Sequence, residues 1–297
     1  MEFMPAPNFA LDRRRFLVCG GISLISGCTA LSKRSGSVFR LADVERELGG
    51  RLGLSAVNTA NGARLYYRAD ERFAMCSSYK WILAAAVLAR VDRNEIALDR
   101  RIPFAAADLI DFSPVTKPRV DEGGLPIADL CAAAIEVSDN TAANLLLTLI
   151  GGPQSLTAYL RGLGDSTTRL DRYELELNTN IPGDERDTTT PNAMTRTMNA
   201  LLLGEALSPG SRQTLIDWMK RSRTGADRLR AGLSPAWLEG DKTGTGMNGA
   251  AIDNAIVWPP GRPPILVASY LSESSGSPAA LNAAHAKIGS IVAAAFA

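Results

Sequence analysis

A serine and a lysine three residues apart open the segment from residue 77 to residue 91, which is otherwise mostly apolar. At the start of a helix this spacing puts both side chains on one face, within mutual reach. A serine hydroxyl becomes a strong nucleophile when a nearby base takes its proton, and a buried lysine can act as that base because burial lowers its pKa. The alternative is that Lys80 extends to the surface. Ser77 and Lys80 therefore indicate nucleophilic catalysis only if other residues support it.

Two further short motifs follow along the chain. Ser138–Asn140, Ser-Asp-Asn, connects two predicted helices, and Lys242–Gly244, Lys-Thr-Gly, lies on a predicted strand. Taken alone, the first would be a helix cap and the second an ordinary strand start. Together and in this order, S-x-x-K, S-D-N and K-T-G resemble the motif set of class A β-lactamases and penicillin-binding proteins.

The stretch RLDRYELELNTNIPGDERDTTTP, residues 169–191, resembles the omega loop of class A β-lactamases. In that family a glutamate and an asparagine spaced E-x-x-x-N hold the water that deacylates the enzyme, and Glu174 and Asn178 match them. Arg172 and Asp187 match the pair that closes the loop by a salt bridge. The alternative is a charged surface loop without function, but a loop this long inside a compact domain is usually functional.

The resemblance to class A β-lactamases covers residues 39–297. It implies hydrolysis of the β-lactam amide bond through a serine acyl-enzyme, which confers resistance to β-lactam antibiotics and requires no cofactor and no metal. Many family members have proline after this glutamate, with a cis bond before it, whereas this chain has Leu175 and could instead adopt a trans bond that displaces Glu174. Since the rest of the loop is intact, we predict a cis Glu174–Leu175 bond.

The implied mechanism gives each motif a role. Ser77 attacks the lactam carbonyl and loses its proton through Lys80, or through Glu174 and a water. The backbone N–H groups of Ser77 and Thr245 form the oxyanion hole, where one donor is worth roughly 3 kcal/mol in the transition state. Ser138 then passes a proton to the leaving lactam nitrogen.

The substrate is an anion, so the implied site needs a cationic wall for its carboxylate. The K-T-G strand supplies one side of that wall. Arg228 matches a position that some family members use for a carboxylate-binding arginine, and its alternative is a surface helix arginine. Phe112 matches an aromatic residue at the cleft entrance. The implied substrate-binding residues are Asn140, Asn178, Lys242, Thr243, Gly244, Thr245, Arg228 and Phe112.

Two other functions share part of this pattern. A penicillin-binding D,D-peptidase has the three short motifs but not the Glu174 loop. A penicillin-sensing module would be acylated and stay acylated, so it would make no use of Glu174. Fast multiple turnover of nitrocefin fits only the β-lactamase.

The elements that position these motifs follow from the hydrophobic pattern. Helical spacing ends at Gly49-Gly50, two strands flank Asn61-Gly62, and further strands lie near the C-terminus before a last alanine-rich helix. This order predicts an α/β fold with an antiparallel sheet built from both termini, flanking helices and an all-helical insert. We expect an α/β lobe over residues 39–68 and 222–297, and a helical lobe over residues 69–221.

Composition narrows the class of protein. The 297 residues are 46% hydrophobic, which is enough for a large core, and the net charge of +1 gives no reason to expect nucleic-acid binding. We expect a monomer. His285, the single histidine, is expected to be a surface or half-buried helix residue without a catalytic or metal-binding role. Cys76 and Cys131 could form one pair, but two buried thiols fit their apolar surroundings better.

The N-terminus resembles an export signal over residues 1–27. Arg13, Arg14 and Arg15 precede an apolar run, as in a twin-arginine signal, and Ile-Ser-Gly-Cys ending at Cys28 resembles a lipobox. The alternative is an ordinary secretory signal with a chance cysteine. Acylation of Cys28 would anchor an exported protein to a membrane surface, in the periplasm or cell envelope. Residues 28–38 are expected to be a linker, and no later segment is expected to span a membrane.

Overall fold

The computed structural model describes Met1 and residues 23–297, with side-chain surroundings from Gly36 onward. Its helices are α1 (Ser23–Leu48), α2 (Lys80–Asp92), α3 (Ile127–Glu136), α4 (Asn140–Ile150), α5 (Pro153–Gly162), α6 (Pro191–Leu202), α7 (Pro209–Lys220), α8 (Leu229–Gly232) and α9 (Pro278–Phe296). Its strands are β1 (Arg51–Asn58), β2 (Arg64–Tyr67), β3 (Phe73–Ala74), β4 (Arg101–Ile102), β5 (Leu125–Pro126), β6 (Thr188–Thr189), β7 (Leu238–Thr245), β8 (Ala251–Trp258) and β9 (Ile265–Ser272).

The main sheet has five antiparallel strands in the order β2-β1-β9-β8-β7. Strand β1 pairs with β9 along its whole length, with Leu54 opposite Ser269, so the two ends of the chain complete one sheet. Helices α2 to α7 lie between the two sets of strands in sequence. The predicted fold class is therefore confirmed.

Helix α2 is the centre of the helical part. Its residues from Lys80 to Ala89 are all buried, and α3, α4, α5 and α7 pack around it. A helix that is apolar on every side is stable only when neighbours surround it. The sequence here is Trp-Ile-Leu-Ala-Ala-Ala-Val-Leu-Ala, so α2 forms the core on which the site is built.

The other face of the sheet is covered by α1, α8 and α9. Leu41 of α1, Leu54 of β1 and Ile288 of α9 lie in one buried apolar cluster. Contrary to the sequence expectation, α9 is long and apolar enough to cross a membrane. Its apolar residues, among them Leu281, Ile288 and Val292, instead lie in the buried cluster on this face of the sheet.

Three local predictions are corrected. Residues 28–38 continue helix α1 rather than forming an irregular linker, since Ala30, Leu31 and Lys33 favour a helix. The helix predicted from residue 77 begins as a 3₁₀ turn over Cys76–Tyr79. His285 is fully buried rather than at the surface.

The predicted thiols and export signal have different outcomes. Cys76 and Cys131 are both buried and free, as expected. Arg13, Arg14, Arg15 and the side chain of Cys28 lie outside the residues and side chains that the structure describes. The structure therefore leaves the signal and the lipobox as predictions.

Candidate active site

A cleft of about 620 Å³ opens between strand β7 and the helical part of the molecule. Its walls come from all four sequence motifs and from the segment before α8. The lining residues include Ser77, Phe112, Ser138, Asn140, Asn178, Thr224, Arg228, Thr243, Gly244 and Thr245. The structure thus brings together residues that are up to 170 positions apart, from Ser77 to Met247.

Ser77 lies on the 3₁₀ turn immediately before α2. Cys76 has a positive φ of 44°, and this sharp turn leaves Ser77 half-buried while its neighbours Cys76 and Ser78 are buried. The Ser77 Oγ donates a 3.0 Å hydrogen bond to Glu174 Oε1. The hydroxyl is therefore open to the cleft and already directed at a carboxylate.

Lys80 is fully buried beside Ser77 and does not reach the surface. Its Nζ lies 3.1 Å from Glu174 Oε1 and donates to the Ser138 carbonyl oxygen at 2.9 Å and to Asn140 Oδ1 at 2.5 Å. Burial lowers the pKa of Lys80, while the Glu174 carboxylate opposes that shift. The lysine is retained inside because each N–H direction has an acceptor.

The Ser-Asp-Asn motif is a turn that leads into α4, and its first residue has left-handed backbone. Ser138 has a φ of 62°. Asp139 caps α4 by accepting from the Ala142 N–H at 2.8 Å, and its other oxygen accepts from the Thr116 N–H at 2.9 Å. The buried aspartate therefore fixes the turn, and Ser138 and Asn140 project into the cleft on either side of it.

The Lys-Thr-Gly motif occupies the part of β7 that faces the turn before α2. Lys242 is fully buried and donates to Ser138 Oγ at 3.1 Å and to the Thr243 carbonyl oxygen at 2.6 Å. Burial, with the charge of Lys80 as the next cause, lowers the pKa of Lys242 to about 7.

A side chain at Gly244 would meet the Met75 carbonyl oxygen at 2.7 Å, so only glycine permits this approach of strand and turn.

Glu174 is held from both its backbone and its side chain. Its N–H donates to Asn144 Oδ1 at 3.0 Å, and Asn144 Nδ2 donates back to its carbonyl oxygen at 3.0 Å. Asn178 Nδ2 donates to Glu174 Oε2 at 2.6 Å. The peptide bond between Glu174 and Leu175 is cis, as predicted.

The predicted pair that closes the loop is formed. Arg172 Nε donates to Asp187 Oδ2 at 2.6 Å, and Asp187 is buried. Asp187 Oδ1 also accepts from the backbone N–H groups of Asp171 at 2.7 Å and Arg172 at 3.0 Å. One carboxylate thus ties the two ends of the loop together.

Arg228 is buried, so the alternative of a surface arginine is wrong. Its Nη1 donates to the carbonyl oxygens of Gly244 and Ile252, both at 2.7 Å, and its Nη2 donates to Thr245 Oγ1 at 2.6 Å. Burial lowers the pKa of Arg228 and the Asp253 carboxylate raises it. A guanidinium therefore lies directly behind the Thr245 hydroxyl.

Phe112 lies at the rim of the cleft with 62% of its surface exposed and a φ of 61°. Its carbonyl oxygen accepts from the Asn140 N–H at 3.0 Å. Leu175 and Met247 are exposed on the same lining, so the cleft mouth is apolar while its floor is charged.

Three residues of the site were missed in the sequence. Asn144 holds the Glu174 backbone, Asp139 caps α4, and Thr224 Oγ1 accepts from Thr243 Oγ1 at 2.6 Å. Asn144 gave no signal, since a polar residue on α4 looks like an exposed helix position. The sequence indicated the Asp139 cap only as the alternative to a catalytic role for the Ser-Asp-Asn motif.

Comparison with known proteins identifies the family. The model of the family described as Beta-lactamase enzyme family matches residues 39–296. Beta-lactamase AST-1 of Nocardia asteroides is 45% identical over 294 residues, 94% of each chain. Carbapenem-hydrolyzing beta-lactamase KPC of Klebsiella oxytoca is 48% identical over 243 residues, 82% of each chain.

A solved structure of similar size has the same fold. The class A beta-lactamase of the last common ancestor of Gram-negative bacteria is 56% identical with a TM-score of 0.87, covering 88% of this chain and 100% of its own. The matching family model spans nearly all of the described domain, and the relatives cover more than four fifths of the chain. The chain therefore belongs to the beta-lactamase enzyme family, as a class A β-lactamase.

Proposed function

We propose that Ser77, Lys80, Ser138 and Glu174 carry out the β-lactam hydrolysis of this class A enzyme. The observation that carries the proposal is the convergence on Glu174 Oε1 of Ser77 Oγ at 3.0 Å and Lys80 Nζ at 3.1 Å. A hydroxyl nucleophile, an amine of lowered pKa and a carboxylate thus share one buried point. Such a group can take the proton from the serine hydroxyl.

Acylation begins when Ser77 Oγ attacks the lactam carbonyl. The new C–O bond forms as the serine proton passes to Glu174, directly or through a water, or to Lys80 in its neutral form. The negative charge on the carbonyl oxygen is stabilised by the backbone N–H groups of Ser77 and Thr245. The turn at Cys76 and the close approach at Gly244 support this role, because they bring the two backbones side by side.

The C–N bond then breaks, and the lactam nitrogen needs a proton. Ser138 is the donor in this proposal, because its Oγ is contacted by Lys242 Nζ at 3.1 Å and Lys80 Nζ at 3.4 Å. In their charged forms these two amines make the Ser138 hydroxyl a better acid and can return a proton to it.

Hydrolysis of the ester needs a water directed at the acyl carbon. Glu174 is the base for this step, and Asn178 orients the water. Asn178 donates from Nδ2 to Glu174 Oε2, while its buried Oδ1 accepts no hydrogen bond from the described residues. An acceptor oxygen in this position can bind the water that Glu174 deprotonates.

In this proposal, strand β7 and Arg228 bind the substrate carboxylate. Lys242 supplies charge, Thr243 and Thr245 supply hydroxyls, and Arg228 lies 2.6 Å behind the Thr245 hydroxyl. Asn140 faces the substrate's side-chain amide and Phe112 covers the entrance. Since Arg228 already donates to two carbonyl oxygens, it acts mainly by fixing Thr245 and by its charge.

We also infer that the enzyme is exported as a monomer. The arginines at 13 to 15 and the apolar run that follows support a twin-arginine signal, and Cys28 supports a lipid anchor in the cell envelope. Replacement of Cys28 by alanine is expected to move the protein from the membrane fraction to the soluble fraction. Unchanged membrane association would remove the anchor.

Nitrocefin turnover by the mature protein tests the proposed function. We expect many turnovers per enzyme molecule, and none for Ser77→Ala. A D,D-peptidase or a penicillin sensor would instead give at most one equivalent of product. The Glu174 loop favours the β-lactamase, because neither alternative needs a base for rapid hydrolysis of the ester formed with a β-lactam.

A further inference from the structure

Two asparagines join the Glu174 loop to the turn after β7 by reciprocal hydrogen bonds. Asn180 Nδ2 donates to the carbonyl oxygens of Asn248 at 3.0 Å and Met247 at 3.3 Å. Asn248 Nδ2 donates back to the carbonyl oxygens of Thr179 and Asn180, both at 3.1 Å. We call Asn180 and Asn248, with these four bonds, the asparagine clasp.

The clasp lies on backbone that suits asparagine. Asn180 has a φ of 45° and Asn248 a φ of 50°, both in the left-handed region that asparagine tolerates better than most residues. The clasp is also anchored to the sheet, because Ser272 Oγ donates to Asn180 Oδ1 at 3.1 Å and the Glu273 N–H donates to the Asn248 carbonyl oxygen at 2.7 Å. Three segments of the chain therefore meet at these two residues.

The clasp is adjacent to the residues that face the reacting atoms. Asn178 is two positions before Asn180, and its carbonyl oxygen accepts from the Met247 N–H at 2.8 Å. The same Asn178 donates from Nδ2 to Glu174 Oε2 at 2.6 Å. A displacement of residues 178–180 from β7 would therefore move Asn178, and with it one of the three contacts that orient the Glu174 carboxylate.

We propose that Asn180 and Asn248 are positioning residues for deacylation, holding Asn178 and Glu174 at the distance from β7 that the hydrolytic step requires. The inference rests on the proposed roles of Ser77 and Glu174. Acylation keeps the turn before α2, Lys80 as a base for Ser77 and the K-T-G strand, because Lys80 and Lys242 are held by buried contacts of their own. Deacylation depends on the loop that the clasp holds.

Steady-state kinetics can separate these two steps. When deacylation slows and becomes rate-limiting, kcat and KM fall together and kcat/KM stays constant, since kcat/KM reports only steps up to acylation. Simple loss of folded enzyme lowers kcat and leaves KM unchanged, and slower acylation lowers kcat/KM. The parallel fall is therefore a signature that a merely structural role does not produce.

The test uses full-length enzyme with benzylpenicillin. The variants are Asn180→Gly, Asn248→Gly and their combination, because glycine retains the positive φ and removes only the side-chain bonds. The matched control is Asn94→Gly, an exposed asparagine with a φ of 57° at the far end of α2 from Lys80. Asn248→Asp keeps the shape of the side chain but loses both donated hydrogen bonds.

We expect the deacylation rate constant of the double variant to fall about tenfold, less than the roughly hundredfold loss that a 1 Å misplacement can cause. Mass spectrometry of quenched reactions should show acyl-enzyme accumulating in the double variant and in Asn248→Asp, with kcat/KM within about twofold of wild type and Asn94→Gly unchanged. Unaltered kcat and KM, or a fall in kcat/KM without accumulated acyl-enzyme, would overturn the inference. Absence of turnover in the wild-type enzyme would contradict the proposed function itself, and the inference with it.

Discussion

Lys80 Nζ and Glu174 Oε1 lie 3.1 Å apart, and both side chains are fully buried. Removal of one partner from a buried ion pair leaves an uncompensated charge, which costs more than the pair itself contributes. The carboxylate also accepts from Ser77 and Asn178, and the ammonium donates to Ser138 and Asn140. The pair is thus the centre of a network that reaches every motif of the site.

Lys242 gives the enzyme a pH dependence. Its pKa of about 7 means that the amine is charged below that pH and neutral above it. Because the charged form attracts the substrate carboxylate, kcat/KM should fall as pH rises through about 7 in the free enzyme. Arginine remains protonated throughout, so Lys242→Arg should flatten this limb of the profile. If Lys242→Arg shows the same fall of kcat/KM with rising pH, the titrating group is not Lys242.

Gly246 is the point where β7 meets the Glu174 loop. A Cβ there would lie 2.6 Å from the Asn178 carbonyl oxygen and 2.6 Å from Cys76 Sγ. We expect Gly246→Ala to displace Asn178, to lower stability by about 2 kcal/mol and to slow nitrocefin turnover about tenfold. Gly210→Ala is the control, because a Cβ at Gly210 meets nothing within 4 Å. Equal activity and melting temperature for the two variants would contradict the steric account.

The Arg172–Asp187 bridge should control the order of the loop. Asp187 accepts from Arg172 Nε and from two backbone N–H groups, so Asp187→Asn loses a charge from a buried network. We expect Asp187→Asn to lower the free energy of unfolding by about 3 kcal/mol. Arg172→Ser should lower it by slightly less. Denaturant unfolding measures this loss, and burst kinetics should show slower deacylation in both variants. Arg172→Lys should restore part of both losses, whereas no recovery would indicate that the contact needs the guanidinium shape.

His285 should affect acid stability rather than catalysis. Its Nδ1 lies 3.1 Å from Ser269 Oγ and its Nε2 3.2 Å from the Ala251 carbonyl oxygen. Burial, followed by the charge of Arg228, lowers its pKa to about 3 from the ordinary 6.5.

Between about pH 3 and pH 6.5, His285 therefore carries a proton in the unfolded state that it lacks in the folded state. The stability contribution is complete above about 6.5 and is lost as pH falls toward about 3, at about 1.4 kcal/mol per pH unit. His285→Gln should remove this slope from unfolding curves and keep activity at pH 7 within severalfold of wild type. Loss of activity without loss of folded protein would contradict a purely structural histidine.

Much of the site could be predicted because its chemistry is local in sequence. Ser77 and Lys80 are one helical turn apart, and the Ser-Asp-Asn and Lys-Thr-Gly motifs each lie within three residues. Asn144 could not be predicted, because its contact with the Glu174 backbone depends on how α4 packs beside the loop. The burial of His285 was also missed, since alanine-rich α9 gives no strong polar face to separate its inner side from its outer side.

The asparagine clasp shows the same limit. Asn180 and Asn248 are 68 positions apart, and each alone is typical of a turn. Their pairing is set by the register of β7 and by the path of the loop, which are properties of the folded molecule. The antiparallel sheet built from both ends of the chain, by contrast, was predicted from hairpin and glycine signals near the two termini.

The most direct measurement for the central claim is mass spectrometry of Glu174→Ala mixed with benzylpenicillin. If Ser77 forms an acyl-enzyme that Glu174 helps to hydrolyse, this variant should gain the mass of one intact penicillin and keep it for minutes. Wild-type enzyme should return to its free mass as the drug is consumed, and Ser77→Ala should gain nothing. Wild-type-like turnover by Glu174→Ala, or a penicillin adduct on Ser77→Ala, would contradict the account.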